Sequence, residues 1–452
     1  MFLKMRWGLR RTVFSLLPVF LLSCASPNIP PIGATGKKFE MAGDEKQIWQ
    51  QSETEERKLA ESGKLYKDPL LEDYLAQIGK KLEPEPVKQA GINFEFHVIH
   101  DPALNAFSYP NGHVYINTGL ISRLENEAQL ATVLGHEMGH VVHRDGVRYY
   151  RSTQRKVIAA TLAGVVASIG VAAVSGKQAK EGNLITAQIL NQTAQVMLGL
   201  GLQLGLLAAV NGYGRTLEDQ ADDSGLEDMV RAGYDPKEAP KIFQLLLKDS
   251  GDQSKIENFF WGNHPTNQAR IEKFKELLAS EYRPAAEEPG RIVNTEDFQR
   301  RTRVLVRENA FLDIQAGRYE LARAQIEKVL KLQPNDPKAH YYMGEVYRRS
   351  AKDASGTREA IREYLLALQY DPEYALPHRE LGILYLKSKD KELAREHLQK
   401  YLDLAAKDCE RTVITEKTIV KDAKGKESSP TVRVKTCPQD RDQIREYLLE
   451  VS

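Results

Sequence analysis

Leu130-Ala131-Thr132-Val133-Leu134-Gly135-His136-Glu137-Met138-Gly139-His140-Val141-Val142-His143 is the stretch on which the reading of this chain turns. Leu130, Val133, Leu134, Val141 and Val142 recur at helical spacing, and Glu125 and Glu127 upstream suit the positive end of a helix dipole. On such a helix His136 and His140, four residues apart, point the same way and can share one metal ion. Glu137 between them projects near enough to take a proton from a metal-activated water. His143 lies on the same face, but seven residues span about 10 Å of helix, too far to share that ion with His136. It reads as structural, as do His97, His100 and His113, although His113 could also line a cleft.

A catalytic zinc needs three protein ligands and one open position. Glu218, in Leu217-Glu218-Asp219-Gln220-Ala221-Asp222, is the best third donor; its segment is helical by pattern and stops near Gly233. Asp222 sits one turn further on the same face, placed to accept a hydrogen bond from a ligand imidazole and fix its tautomer. Asp219 and Asp223 read as solvated helix surface. The pattern as a whole reads as a zinc peptidase with one Zn2+ per chain, Glu137 its general base.

The 452 residues call for more than one domain. Lys plus Arg (63) nearly equals Asp plus Glu (62), so no basic footprint for nucleic acid is present. Lys4, Arg6, Arg10 and Arg11 precede a short apolar run from Val13 to Leu22, a secretory signal rather than a full span. It ends in Leu21-Leu22-Ser23-Cys24, which resembles a bacterial lipobox. That resemblance implies cleavage before Cys24, lipidation of its sulfur and a membrane tether without a transmembrane helix. Ala25 after the cysteine favours the outer membrane. The alternative is an ordinary signal with an incidental cysteine. Cys409 and Cys437 then remain as a pair, which in an exported chain reads as a disulfide; two buried thiols are the other reading. Between them, alternation around Lys424-Gly425-Lys426 reads as a β-hairpin.

Along the chain, Asp44 to Ser62 and Leu70 to Leu82 read as helices, and Phe94, Phe96 and Val98 alternate as a strand. Pro110-Asn111-Gly112 signals a turn before a strand at His113 to Ile116, and this sheet could take an extended peptide along its edge. Val157 to Val174 is almost wholly apolar, and Leu184 to Val210 is Gly/Ala-rich. Length permits a membrane hairpin. Gln188, Asn191, Gln192, Gln195 and Gln203 favour buried or lid helices instead. From about Arg303 a helical repeat begins. Gly317, Ala322, Ile326 and Pro334 mark one unit, Met343-Gly344, Tyr347, Ala360, Tyr364, Ala367 and Pro372 a second, and Leu381-Gly382, Tyr385, Ala394 and Leu398 a third. These offsets match the tetratricopeptide (TPR) pattern, whose concave face is a binding surface.

The pair HExxH (136–140) and ExxAD (218–222) resembles the gluzincins of the HtpX and CAAX-prenyl-protease superfamily. With a signal in front and TPR units behind, the chain is similar to the BepA-like periplasmic zinc metallopeptidases over residues 45 to 405. The resemblance implies Glu137 as catalytic base, His136, His140 and Glu218 as zinc ligands and Asp222 as their hydrogen-bonded neighbour. It places Asn105-Ala106-Phe107 and Gly112-His113-Val114 beside the substrate cleft. His264-Pro265, with Arg270 following, matches a further element in which the histidine can occupy the open zinc position and silence the enzyme; a structural histidine is the other reading.

The expected fold is mainly α, an α+β gluzincin domain with a small sheet followed by a TPR superhelix. The segments are a signal peptide (1–23), a tether (24–43), a peptidase domain (44–285), TPR repeats (295–406) and a disulfide-closed hairpin with a helix (407–452). The expected function is a lipid-anchored periplasmic endopeptidase at the outer membrane, acting on misassembled envelope proteins. Its TPR array would bind clients or the outer-membrane assembly machinery, and no nucleic acid. Two alternatives stand beside it, a chaperone or assembly adaptor with latent protease activity and an inner-membrane protease. Tyr109, Tyr149, Tyr213 and His264 are the candidates for steadying an oxyanion.

Overall fold

In a computed structural model the described residues are 29–36, 38–152, 200, 202, 204, 213, 215–250, 267–351, 353–411, 413–417, 420–421, 427–428, 431–435 and 440–451. They form two compact units that divide between Thr302 and Arg303. The signal segment with Cys24, the apolar run from Val157 to Val174, His264, Cys437 and the side chain of Cys409 lie outside the described residues. No helix among the described residues is long and apolar enough to cross a membrane.

The first unit opens with helices α1 (Gly43–Glu61), α2 (Pro69–Leu82) and α3 (Glu85–Ala90). Asp68 caps α2 by accepting from the backbone N–H groups of Leu70 and Leu71, with Pro69 at the first helical position where a missing N–H costs nothing. Leu71, Tyr74, Leu75, Ile78 and Leu82 follow at helical spacing and are buried. The sheet comprises β1 (Glu95–Ile99), β2 (Ala106–Ser108) and β3 (His113–Asn117), in the order β1-β3-β2. β1 runs parallel to β3 with Glu95 opposite His113, while β2 is antiparallel with Ser108 opposite Val114. The predicted turn at Pro110-Asn111-Gly112 joins β2 to β3, closed by Gly112 N–H on the Tyr109 carbonyl at 3.1 Å. Gly112 has φ +102°, a conformation side-chain-bearing residues avoid. The strand begins at Glu95, one residue after Phe94, and β2 carries no sequence signal of its own, because three residues are too few for an alternation.

After the short helix α4 (Thr118–Arg123) comes α5 (Glu127–Val142), capped by the Asn126 side chain accepting from Gln129 N–H at 2.9 Å. Its pattern predicts one apolar stripe, yet every residue from Glu127 to Val141 is buried. α5 is a central helix, covered by α2, the sheet, α6 (Arg215–Arg231) and α7 (Ala239–Ser250). Even Glu127, at its positive end, is buried and satisfied: Tyr234, Tyr74, Lys81 and Asn294 all donate to it. Burial works to raise this carboxyl, but those donors outweigh it and hold Glu127 below the usual glutamate value. Gly233, at φ +85°, ends α6 as the sequence suggests. Helices α8 (Asn267–Ala279) and α9 (Arg283–Glu287) complete this unit before α10 (Thr295–Gln315), which runs across the border.

In the second unit α11 (Tyr319–Leu332), α12 (Pro337–Ser350), α13 (Ala354–Tyr370), α14 (Ala375–Lys387) and α15 (Lys391–Arg411) follow, each packed on the next in the chain. Small positions receive large ones: the Tyr364 ring lies over Gly344 and the Leu398 side chain over Gly382. Ala322, Ile326, Ala360 and Ala367 are fully buried in one core. This is the spacing logic of the repeat, small residues where helices meet closely. Beyond it β4 (Val413–Lys417) pairs antiparallel with β7 (Thr431–Lys435), and β5 (Val420–Lys421) with β6 (Glu427–Ser428). A last helix, α16 (Arg441–Val451), buries Ile444 with Leu398, Tyr401 and Ala405 of α15.

Candidate metal centre

α5 and α6 approach almost backbone to backbone, and this contact builds the site. A methyl on Gly135 would lie 3.1 Å from the Gly225 carbonyl oxygen, one on Gly139 3.2 Å from Ala221 Cα, and one on Gly225 2.8 Å from His136 N. Small residues one turn apart on both helices therefore let the axes close up, as in tight helix pairs generally.

That approach brings three donor atoms together. His136 Nε2 and His140 Nε2 are 3.2 Å apart, and Glu218 Oε2 lies 3.3 Å from the first and 3.7 Å from the second. All three side chains are buried. Asp222 Oδ1 lies 2.9 Å from His136 Nδ1, and Asp145 Oδ2 lies 2.9 Å from His140 Nδ1. A carboxylate accepts, so each Nδ1 carries the proton and donates, which leaves each Nε2 with its lone pair facing inward. Two such lone pairs and a carboxylate oxygen repel one another unless a cation sits among them. A tetrahedral ion with ligand bonds of about 2.0–2.1 Å separates its ligands by about 3.4 Å, the spacing found here. The donor set fits zinc.

The electrostatics follow the same arrangement. Burial pushes the His136 imidazole down, but its bonds to Asp222 and Glu218 prevail and bring it up to about 9; the site draws positive charge, and a metal ion would take the place of the Nε2 proton. Burial would raise Asp222, yet Arg270 and His136 hold it well below the usual aspartate range. Glu137 is pushed up by burial. Ser108 Oγ on β2 donates to the Glu137 carbonyl at 3.0 Å and lies 3.4 Å from its Oε2, while Glu137 Oε1 is buried with no hydrogen-bond partner among the described residues. A carboxylate oriented by one oxygen and left open at the other is the geometry of a general base.

Asp145 was missed in the sequence. It follows α5 after Arg144, whose φ of +59° reverses the chain and returns the aspartate to His140. Arg144 is held in that sparsely populated conformation by Glu45 and the Pro30 carbonyl. The available signal was an acidic residue one turn past the second histidine, found by seeking a carboxylate partner for each imidazole rather than one. Arg270, noted only as part of a motif, is 1% exposed on α8. Its Nε donates to Asp222 Oδ2 at 2.8 Å, its Nη2 to Oδ1, and its guanidinium stacks 4.1 Å over the Phe243 ring. Arg270, Asp222 and His136 thus form a buried relay that orients the His136 imidazole.

Of the oxyanion candidates, Tyr109 lies in the apolar core with its hydroxyl 3.3 Å from Glu55. Tyr213 lies against the centre: its N–H donates to Glu218 Oε1 at 3.0 Å and its ring is 4.4 Å from that of His140. Burial, followed by Glu137, Asp145 and Glu218, raises its phenol well above the ordinary value, so it stays an O–H donor. Tyr213, Tyr149, Arg148 and Gln220 line a cleft of about 380 Å³ next to the donors. His143 turns away, its Nε2 3.3 Å from Ser224 Oγ, and Asp219 and Asp223 pair at the surface with Lys273. His113 bonds Glu56 rather than the centre.

Two helices presenting two imidazoles, a carboxylate and an intervening glutamate define a mononuclear metallohydrolase framework. Residues 69–278 match the profile of peptidase family M48, and residues 312–354 and 349–408 match that of the tetratricopeptide repeat. The chain joins an M48 peptidase domain to TPR repeats. It is similar to the beta-barrel assembly-enhancing protease of Escherichia coli (strain K12), 26% identical over 290 residues, 64% of this chain and 53% of that protein. The protein of the same name from Yersinia pestis is 29% identical over 215 residues, 48% of this chain and 40% of its own. The mitochondrial metalloendopeptidase OMA1 of Schizosaccharomyces pombe is 30% identical over 187 residues, 41% and 47% respectively. The matched part of the chain spans about half the length of these relatives or less.

Proposed function

We propose that the chain is a zinc-dependent endopeptidase of the cell envelope that hydrolyses misfolded or misassembled outer-membrane proteins. The single observation that carries the enzymatic part is the convergence of His136 Nε2, His140 Nε2 and Glu218 Oε2 with both Nδ1 atoms tied to carboxylates. Zinc held by these three supplies Lewis-acid activation of water and of the scissile carbonyl. Glu137 Oε1 takes the proton of the attacking water and returns it to the departing amine nitrogen. Ser108 holds Glu137 for that transfer, and the Tyr213 ring, 4.4 Å from that of His140, supports Tyr213 as the donor to the developing oxyanion. Asp222 and Asp145 keep both imidazoles in the metal-binding tautomer throughout.

The remaining assignments rest on sequence and resemblance. The lipobox-like Leu21-Leu22-Ser23-Cys24 supports a lipid anchor at the outer membrane, and the cysteine count of an exported chain supports a Cys409–Cys437 disulfide. The resemblance alone supports His264 as the group that closes the open zinc position at rest. The names of the relatives support a role in beta-barrel assembly, with clients or assembly machinery held by the TPR array.

Two measurements test this reading. Protein dialysed against metal-free buffer is expected to keep one zinc equivalent and to cleave casein, and Glu218→Ala to lose both. Undiminished zinc in Glu218→Ala would overturn the ligand assignment. The segment 295–452, which begins with a complete helix, is expected to retain an unfolded outer-membrane protein on a column; passage of that protein unretarded would remove the array from client capture.

A further inference from the structure

A second set of metal-type donors lies on the sheet, outside the centre described above. Glu95 and His97 alternate along β1, and His113 stands opposite Glu95 on the parallel neighbour β3. Side chains two residues apart on a strand share a face, so the register itself gathers the three. Glu95 Oε2 lies 3.7 Å from His97 Nε2 and 3.9 Å from His113 Nε2, and all three donor atoms lie within 4.8 Å of one another. The imidazole rings meet edge to face with centroids 6.0 Å apart.

His113 is prepared as the two buried histidines are. Its Nδ1 lies 2.8 Å from Glu56 Oε1, a carboxylate of α1 that also accepts from Asn111 Nδ2 at 2.8 Å and Tyr115 Oη at 3.3 Å. That fixes the tautomer and turns the Nε2 lone pair toward Glu95 and His97. Burial and the neighbouring His113 push His97 down against the pull of Glu95, Glu72 and Glu56, which keeps its imidazole a neutral donor, whereas at His113 the bond to Glu56 outweighs burial. Glu95 is exposed and both imidazoles are half-buried, leaving the donors open to solvent.

We propose that Glu95, His97 and His113 form a second site for a borderline divalent cation, of the zinc class, that clips β1 to β3. Two imidazoles and one carboxylate suit zinc, nickel or copper(II) rather than magnesium or calcium, which take oxygen donors. Water fills the remaining positions, and the ion is exchangeable, unlike one held among fully buried ligands. The site's position also has a consequence for the sheet. β3 carries Val114, whose partner Ser108 contacts Glu137, so an ion bracing β3 braces the strand behind the general base.

Titration of zinc chloride into the full chain already carrying its retained zinc is expected to show one additional equivalent bound. His97→Ala and Glu95→Gln, both at solvent-accessible positions, should each weaken that equivalent at least tenfold while the retained zinc and casein cleavage persist. Added zinc should raise Tm in the wild type and not in His97→Ala. No additional equivalent in the wild type, or one undiminished in both variants, would overturn the assignment. Loss of the retained zinc together with the additional one would overturn its independence from the buried centre.

Discussion

Glu137→Gln is expected to leave zinc content unchanged while cleavage of an unfolded protein falls by about 10²–10⁴-fold, the usual contribution of a positioned general base. The amide has the shape of the carboxylate but cannot take a proton. None of the three donors, His136, His140 and Glu218, is altered. Ser108 donates to the Glu137 backbone carbonyl, a bond indifferent to the side chain, so the register between β2 and α5 is kept. Stability moves the other way from activity: burial pushes the Glu137 carboxyl up, and removing a charge from such a place relieves a desolvation cost. Tm is therefore expected to hold or rise. A variant that binds zinc, melts as the wild type does and still cleaves would take Glu137 out of the mechanism.

What the sequence disclosed follows from how local each feature is. The i, i+4 spacing of His136 and His140 is a property of one helix, and Glu218 with Asp222 repeats it on another; both can be read without knowing how the helices meet. The TPR offsets are local in the same sense, since each helix pair packs mostly against its neighbour. Asp145 escaped because it reaches His140 through a left-handed Arg144, a backbone state no periodicity announces. Arg270 is marked by the resemblance, but its role escaped because it lies with a partner 48 residues earlier, in a buried pair that only packing reveals. The burial of α5 on every side was also hidden, for a stripe of Leu and Val reads the same whether polar neighbours face water or a second layer. Glu127 shows the difference: as a sequence letter it suits a helix start, and in the fold it is the hub of four donors.

The glycines between the two helices carry the remaining large effect. Gly225→Ala places a methyl 2.8 Å from His136 N, 2.9 Å from Gly135 C and 3.2 Å from His136 Cα. All three are backbone atoms, so no rotamer change makes room and the helices themselves must part or tilt. Overpacking of this kind costs about 1–3 kcal/mol. The metal feels it more. Glu218 lies two turns before Gly225 on the same face of α6, so separation there widens the 3.3 and 3.7 Å gaps between its Oε2 and the two imidazoles. Metal–ligand bonds tolerate about 0.2 Å. Zinc affinity is expected to fall at least tenfold and cleavage with it, read by competition with a chromogenic chelator and by casein hydrolysis. Gly43→Ala is the matched control, since a methyl at that position in α1 meets nothing within 4 Å. Should Gly225→Ala bind zinc as tightly as Gly43→Ala does, the close approach of α5 and α6 would be a packing detail rather than what sets the third ligand in place.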